Sequence, residues 1–211
     1  MIRISPGIPC WLVLLAIALL PACIRLEKPY PQKSTFVLET RREGNPEPVP
    51  ADAVLLVRNF GNSASFQTRN FVYRLGELEY RSDFYNEFFA SPAALVTEES
   101  SRWLRQAGLF GHITVRGEPA PTHLLRGRIG SLYGDYRPNR PPAAVFELQL
   151  TLIDNRPVAT AIVLDRHYRR EIPLADRTPE SLLGGWNSAL EQILTEFEED
   201  ARRALLPVDP P

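Results

Sequence analysis

The run VFELQLTLID, Val145–Asp154, decides the fold class of this chain. Phe146, Leu148, Leu150 and Leu152 alternate with Glu147, Gln149 and Thr151. A period of two puts alternate side chains on opposite faces of a strand, here one face on a core and one in water. A helix would instead need its apolar residues three and four apart. The preceding segment repeats the strand pattern, and Leu125, Ile129 and Tyr133 are expected to share a face. After the turn residues Asp154-Asn155-Arg156-Pro157, a further strand is predicted over Val158–Ile172. The second half therefore reads as an antiparallel meander.

Working towards the N-terminus, HITVR (His112–Arg116) is predicted to be a strand returning to the sheet. Before it, Ser91-Pro92 has the form of a helix start, serine at the N-cap and proline in the first helical position. Ala94, Leu95, Trp103, Leu104 and Ala107 give that helix an apolar side, and Gly108 ends it. FVYRL and LEYRS, on either side of Gly76, predict a hairpin turning near Leu75-Gly76-Glu77. AVLLV (Ala53–Val57) is a short unbroken apolar run, expected as a buried strand, and TFVLE (Thr35–Glu39) as another. Between these two, RREGNPEPVPA carries three prolines and is expected to be a loop outside the sheet.

At the other end, Thr178-Pro179-Glu180 starts a helix predicted to run to about Leu205. Leu183, Trp186, Leu190, Ile193, Leu194, Phe197 and Ala201 form one stripe, with Glu191, Glu198 and Glu199 away from it. Such a stripe reads as core. Gly184-Gly185 weakens the first turns by roughly 1 kcal/mol per glycine relative to alanine. The order is strand, strand, hairpin, helix, strand, meander, helix. That is an α+β fold: a single mostly antiparallel or mixed sheet with two main helices packed on one face.

Lys and Arg number 24 against 25 Asp and Glu, so there is no electrostatic case for nucleic acid. No polybasic block points to anionic lipid. The 20 prolines mark irregular loops, because the apolar content of 44% is that of a globular chain.

The N-terminus reads differently. CWLVLLAIALL (Cys10–Leu20) lies between Pro9 and Pro21, about half of the roughly 20 residues a membrane-spanning helix needs. With Arg3 before it, the run has the form of a secretory signal. Leu20-Pro21-Ala22-Cys23 resembles a bacterial lipobox, with Pro21 departing from the small residue usual there. The resemblance implies cleavage before Cys23 and lipidation of Cys23. A plain signal cut after Ala22 and a slowly processed anchor stand as alternatives. Cleavage before Cys23 discards Cys10 and leaves no free thiol, which suits a compartment where disulfides form. Residue 24 is isoleucine. By resemblance to lipoproteins in which aspartate at that place retains the protein in the inner membrane, Ile24 implies the periplasmic face of the outer membrane. The organisation is then a signal over 1–22, a lipidated tether over 23–34, the α+β domain over 35–206 and a proline-rich tail over 207–211. From Ile24 to Ser34 the tether spans at most roughly 35 Å.

Catalytic signatures are sparse. There is no phosphate-binding G-x-x-x-x-G-K-[ST], and GSLYG (Gly130–Gly134) has its serine in the wrong place for a nucleophile elbow. His112, His123 and His167 fall on three expected strands without a pairing motif, so no metal site or cofactor is expected. Asp83 and Glu87, four apart among Tyr80, Phe84, Tyr85, Phe88 and Phe89, are candidates for acid/base chemistry or carbohydrate binding. Solvated acids on a hairpin leading into a helix are the plainer explanation.

The same segment carries a family resemblance. YRLGELEY…DFYNEFFASPAALV (from Tyr73), with WLRQAGLF (Trp103–Phe110), resembles the ABC-type transport auxiliary lipoproteins, the PqiC-like proteins that accompany Mce systems. The shared marks are a V-Y-R strand at Phe71–Arg74, a tyrosine like Tyr80, a helix start like Ser91-Pro92 and a tryptophan like Trp103. The resemblance implies a non-enzymatic outer-membrane lipoprotein with Mce-domain, permease and ATPase partners, serving the movement of lipids or other apolar compounds between the membranes. It also implies association into larger assemblies, a homo-oligomer among them. The competing readings are a periplasmic hydrolase or sugar-acting enzyme using Asp83 and Glu87, and a structural lipoprotein that binds peptidoglycan. For a partner surface the candidates are Phe84, Tyr85, Phe88 and Phe89, and Tyr136 and Arg137 in the loop GDYRPNRPP (Gly134–Pro142).

Overall fold

A 13-residue strand, β7 (His123–Asp135), organises the sheet. The computed structural model describes residues 32–46, 53–115, 118–156 and 161–205. The signal, Cys23, most of the tether and the tail at 207–211 lie outside the described residues, as do positions 158–160 of the expected last strand. One edge of β7 pairs antiparallel along its length with β8 (Ala143–Asp154), which pairs in turn with β9 (Ala161–Pro173). The other edge is shared end to end by three short strands, all parallel to it: β2 (Val54–Val57), β3 (Gly61–Asn62) and β4 (Asn70–Arg74).

Outside β2 lies β6 (His112–Thr114), in parallel. Outside β4 lies β5 (Tyr80–Phe88), antiparallel, and outside β5 the edge strand β1 (Ser34–Phe36), parallel. Among the described residues, nine strands thus make one mixed sheet, with β1 and β9 at opposite edges. Two helices accompany it, α1 (Pro92–Ala107) and α2 (Pro179–Leu205).

The α+β expectation holds, and local chemistry explains the helix ends. The Ser91 hydroxyl oxygen accepts from the Ala94 N–H at 3.3 Å, Pro92 follows, and Gly108 ends α1 at φ +72°. Glycine adopts that left-handed conformation without the steric cost a Cβ brings. In β8 the side chains of Phe146, Leu148, Leu150 and Leu152 are fully buried against Trp186, Leu190, Ile193, Leu194 and Phe197 of α2 in the main core. Each large apolar side chain so buried contributes roughly 1.5–3 kcal/mol relative to exposure.

Three expectations are corrected. Leu125 and Ile129 join the main core, but a bulge between Ile129 and Ser131 shifts the alternation. Leu132 then takes the core side, and Tyr133 joins Phe66, Val72 and Val145 in a small second cluster. Phe66 comes from a 3₁₀ turn (Ala64–Phe66) that the sequence pattern did not reveal. The hairpin's second strand does not end near Ser82; it continues to Phe88.

The third correction is that the strand expected over Thr35–Glu39 ends at Phe36; beyond it the described chain is a loop, as expected. Its first residues are strapped across both helices. Thr40 donates its N–H (2.7 Å) and hydroxyl (2.9 Å) to Glu99 of α1, and the Arg41 N–H donates to Glu191 of α2 at 2.8 Å. Arg42 pairs with Glu198 through two hydrogen bonds of 2.9 and 2.8 Å. Glu198, placed by periodicity away from the apolar stripe, is buried.

Candidate functional site

The feature that stands out from the sheet is a bulge in β5. Between the pairs Val72↔Ser82 and Asn70↔Glu87, Phe71 of β4 alone lies opposite residues 83–86 of β5. Asp83 holds this excess chain in place. Its Oδ1 accepts from the backbone N–H groups of Tyr85 (2.7 Å) and Asn86 (3.2 Å). Its Oδ2 accepts from the Tyr73 hydroxyl (2.5 Å) and the Asn86 side-chain amide (2.8 Å). The Asn70 amide closes the loop on the Asp83 carbonyl at 2.6 Å. An aspartate bonded to the backbone two residues on is an Asx turn. Burial works against the ionised carboxylate, yet these hydrogen bonds outweigh it and hold Asp83 below the usual carboxylate range. Burial and the bond to Asp83 push the Tyr73 hydroxyl well above the ordinary tyrosine value.

The bulge carries two aromatic rings outward. Phe84 and Tyr85 are 53% and 46% exposed, and their rings meet edge to face at 5.2 Å. In a regular strand, consecutive side chains point to opposite faces. Here the bulge brings them together as one knob. Lys33, just before β1, places its ammonium 4.9 Å from the Phe84 ring centre, within cation–π range, and 3.4 Å from Glu87. Arg69 also pairs with Glu87, at 2.9 Å. Phe89 follows at 67% exposed, its N–H bonded to the Phe36 carbonyl at 2.8 Å.

The other expected contact residues are placed differently. Phe88 is 1% exposed, its ring 4.7 Å from Phe71 and 5.3 Å from Trp186, so it is core and offers nothing to a partner. Tyr136 is also buried, stacked on Tyr73 at 5.1 Å, with burial pushing its hydroxyl up to about 12. Arg137 is a brace, its guanidinium held by Asp135 at 2.6 Å and by Glu77 of the β4–β5 turn at 2.7 Å. The loop after β7 is therefore tied to the hairpin, and both of its candidate contact residues, Tyr136 and Arg137, are engaged within the domain.

Asp83 and Glu87 are both engaged in holding backbone and neighbouring side chains, as described. His112, His123 and His167 sit on β6, β7 and β9. His123 is buried with its Nδ1 2.9 Å from the Thr122 hydroxyl, and His167 lies 2.9 Å from Glu147. Among the described residues no group of three or more His, Cys, Asp or Glu is placed to hold a metal. Nor is any described helix long and apolar enough to cross a membrane.

Open depressions lie elsewhere among the described residues. One, of ≈ 850 Å³, is lined by Arg41, Arg42, Trp103, Arg170 and acids of α2. Within it Arg42 pairs with Glu198 and Arg170 with Glu196. Another, of ≈ 590 Å³, lies beside α1 against Phe60 and Val115.

No family model matches the chain, and no curated protein matches it by sequence. Solved structures do match the fold. The crystal structure of protein XCC0632 from Xanthomonas campestris, described as DUF330, aligns at TM-score 0.67 and 15% identity, over 81% of this chain and 98% of that one. An uncharacterized protein aligns at TM-score 0.64 and 12% identity, over 80% and 98%. Hypothetical protein CT253 from Chlamydia trachomatis aligns at 0.50 and 12%, over 72% and 98%. At such identities the likeness is one of fold, and it spans nearly the whole of each relative.

Proposed function

We propose that this chain is a non-enzymatic lipoprotein held by Cys23 on the periplasmic face of the outer membrane. There it serves as an auxiliary component of an ABC/Mce-type system that moves lipids or other apolar compounds between the membranes. The observation that carries this reading is one of arrangement. A lipobox-like Leu20-Pro21-Ala22-Cys23 precedes, by about ten residues of tether, a domain that shares its fold with the DUF330 structure. The first edge of that domain presents aromatic rings to the outside. The acids that a hydrolase would need support the same reading, because Asp83 and Glu87 are occupied in shaping that edge.

The test is the mass of the mature N-terminus from membranes, for wild type and Cys23→Ser, together with co-purification of Mce-domain or permease proteins. An acylated peptide beginning at Cys23, lost in the variant, with an Mce-type partner retained on the wild-type protein, is the expected result. A free terminus after Ala22 in the soluble periplasm would sink the anchoring. An acylated protein that captures cell-wall fragments and no transporter component would sink the transport role alone.

A further inference from the structure

The Phe84–Tyr85 knob is built and not incidental, since Asp83, Asn86, Tyr73 and Asn70 all spend hydrogen bonds on holding it out. Lys33 lies over the Phe84 ring, and both rings are still about half exposed. What lies next to it identifies its occupant. Lys33 sits on the Phe84 ring, and only ten positions separate Lys33 from Cys23. Fully stretched, that length of chain reaches at most roughly 35 Å. Lys33, beside the start of the described chain, touches the knob, so an anchored Cys23 keeps the knob within the tether's reach of the bilayer, roughly 35 Å at most.

The chemistry matches the bilayer's interfacial layer. Phenylalanine and tyrosine combine an apolar body with, in tyrosine, a polar tip, and such rings settle at the level of the headgroups. Lysine and arginine keep their stems on apolar surface and their charge in water. Lys33 and Arg69, 42% and 46% exposed, both pair with Glu87, three residues after Phe84. Two consecutive rings lifted to one side by a bulge form a small wedge.

We propose that the Phe84–Tyr85 knob is a membrane-contact site that inserts into the interface of the bilayer carrying the Cys23 anchor, fixing the domain's orientation on it. The proposal rests on the anchoring reading above.

The experiment uses the lipidated mature chain, which on that reading has no free thiol, so a single cysteine can be introduced. Tyr85→Cys and Ile162→Cys are labelled with a polarity-sensitive fluorophore. Ile162 is exposed on β9, the opposite edge of the sheet. Each protein is reconstituted on vesicles of phosphatidylethanolamine and phosphatidylglycerol, with and without brominated acyl chains, and vesicle flotation is measured in parallel. The expected result is a blue shift and bromine quenching at position 85, none at 162, and loss of the quenching when Phe84→Ser is added. If the protein floats with vesicles but position 85 stays as water-exposed as 162, the insertion is overturned while the anchor stands. If position 85 becomes shielded only on adding a purified transporter component, the knob is a protein-binding site and the insertion is likewise overturned. Failure to float overturns the anchor and the insertion together.

Discussion

The indole Nε1–H of Trp103 donates a 3.0 Å hydrogen bond to Oε2 of Glu198, joining α1 to α2. The same carboxylate receives Arg42 through two bonds and Arg202 through one of 3.2 Å. One acid therefore locks two helices and the strap that crosses them. Burial opposes its ionised form, but the Arg42 pair and the Trp103 bond prevail and lower its pKa. Removing one member of a buried pair leaves the other desolvated and costs about 3–5 kcal/mol. Glu198→Ala is expected to lose about 3 kcal/mol of stability in urea unfolding. Glu198→Gln, which keeps an acceptor for the indole, is expected to lose less. Equal losses for the two variants would mean that charge, not the Trp103 bond, carries the junction.

Gly184 and Gly185 are neighbours in sequence with opposite structural needs. A Cβ on Gly184 meets nothing within 4 Å, whereas one on Gly185 would lie 2.6 Å from the Ala144 Cβ and 2.7 Å from Leu174. Gly184→Ala is expected to stabilise the protein by about 1 kcal/mol through helix propensity. Gly185→Ala is expected to destabilise it by about 1–3 kcal/mol through overpacking against β8. Thermal unfolding of the two single variants separates them, and shifts of the same sign would contradict this packing.

That pair also shows where sequence reading stops. Periodicity located the helices, the meander and the α2 stripe, because burial on one face imposes a repeat that composition cannot hide. It could not tell a glycine that merely weakens a helix from one that lets a sheet approach. Nor could it see that Glu198 lies buried, since an acid beside the stripe looks solvated until Arg42 arrives from another segment. The knob was half legible: the density of aromatics from Tyr80 to Phe89 was visible. Which rings face out depends on a bulge, and a bulge shifts alternation without changing any residue. The Asp83-to-Tyr85 spacing was the available signal, an aspartate poised to bond two residues on.

The outcome of that bulge is a contrast within one strand. Phe88 packs on Phe71 and Trp186, so Phe88→Ala is expected to cost about 3–5 kcal/mol. Phe84→Ala, at an exposed position, is expected to stay within about 0.5 kcal/mol of wild type. Denaturant midpoints measure both, and a large loss for Phe84 would mean that the knob packs on the domain and does not stand free.

Asp135 contributes to the acid limit. It is buried, and the hydrogen bond from Arg137, with Arg140 at 3.4 Å, holds its carboxyl below the ordinary value of 3.8 against the opposing effect of burial. A carboxylate whose folded pKa is depressed contributes stability that is fully present above its unfolded pKa and is lost as pH falls through the folded one. Asp83 and Glu198 are shifted in the same direction, from 3.8 and 4.5. Buried His123, whose pKa is lowered from 6.5, is held neutral by desolvation, so stability is expected to begin to decline below about pH 6.5 and to fall more steeply below about pH 5 as these carboxylates are protonated. Asp135→Asn is expected to be less stable at pH 7, since it leaves Arg137 without its charged partner on β7. Below the folded pKa the wild-type carboxyl is itself neutral, so the two proteins are expected to converge in acid. Urea titrations between pH 7 and pH 2 test this directly. Parallel curves across that range would show that Asp135 does not titrate with unfolding, and that the acid limit belongs to other groups, the depressed carboxyls of Asp83, Asp154, Asp176 and Glu198 among them.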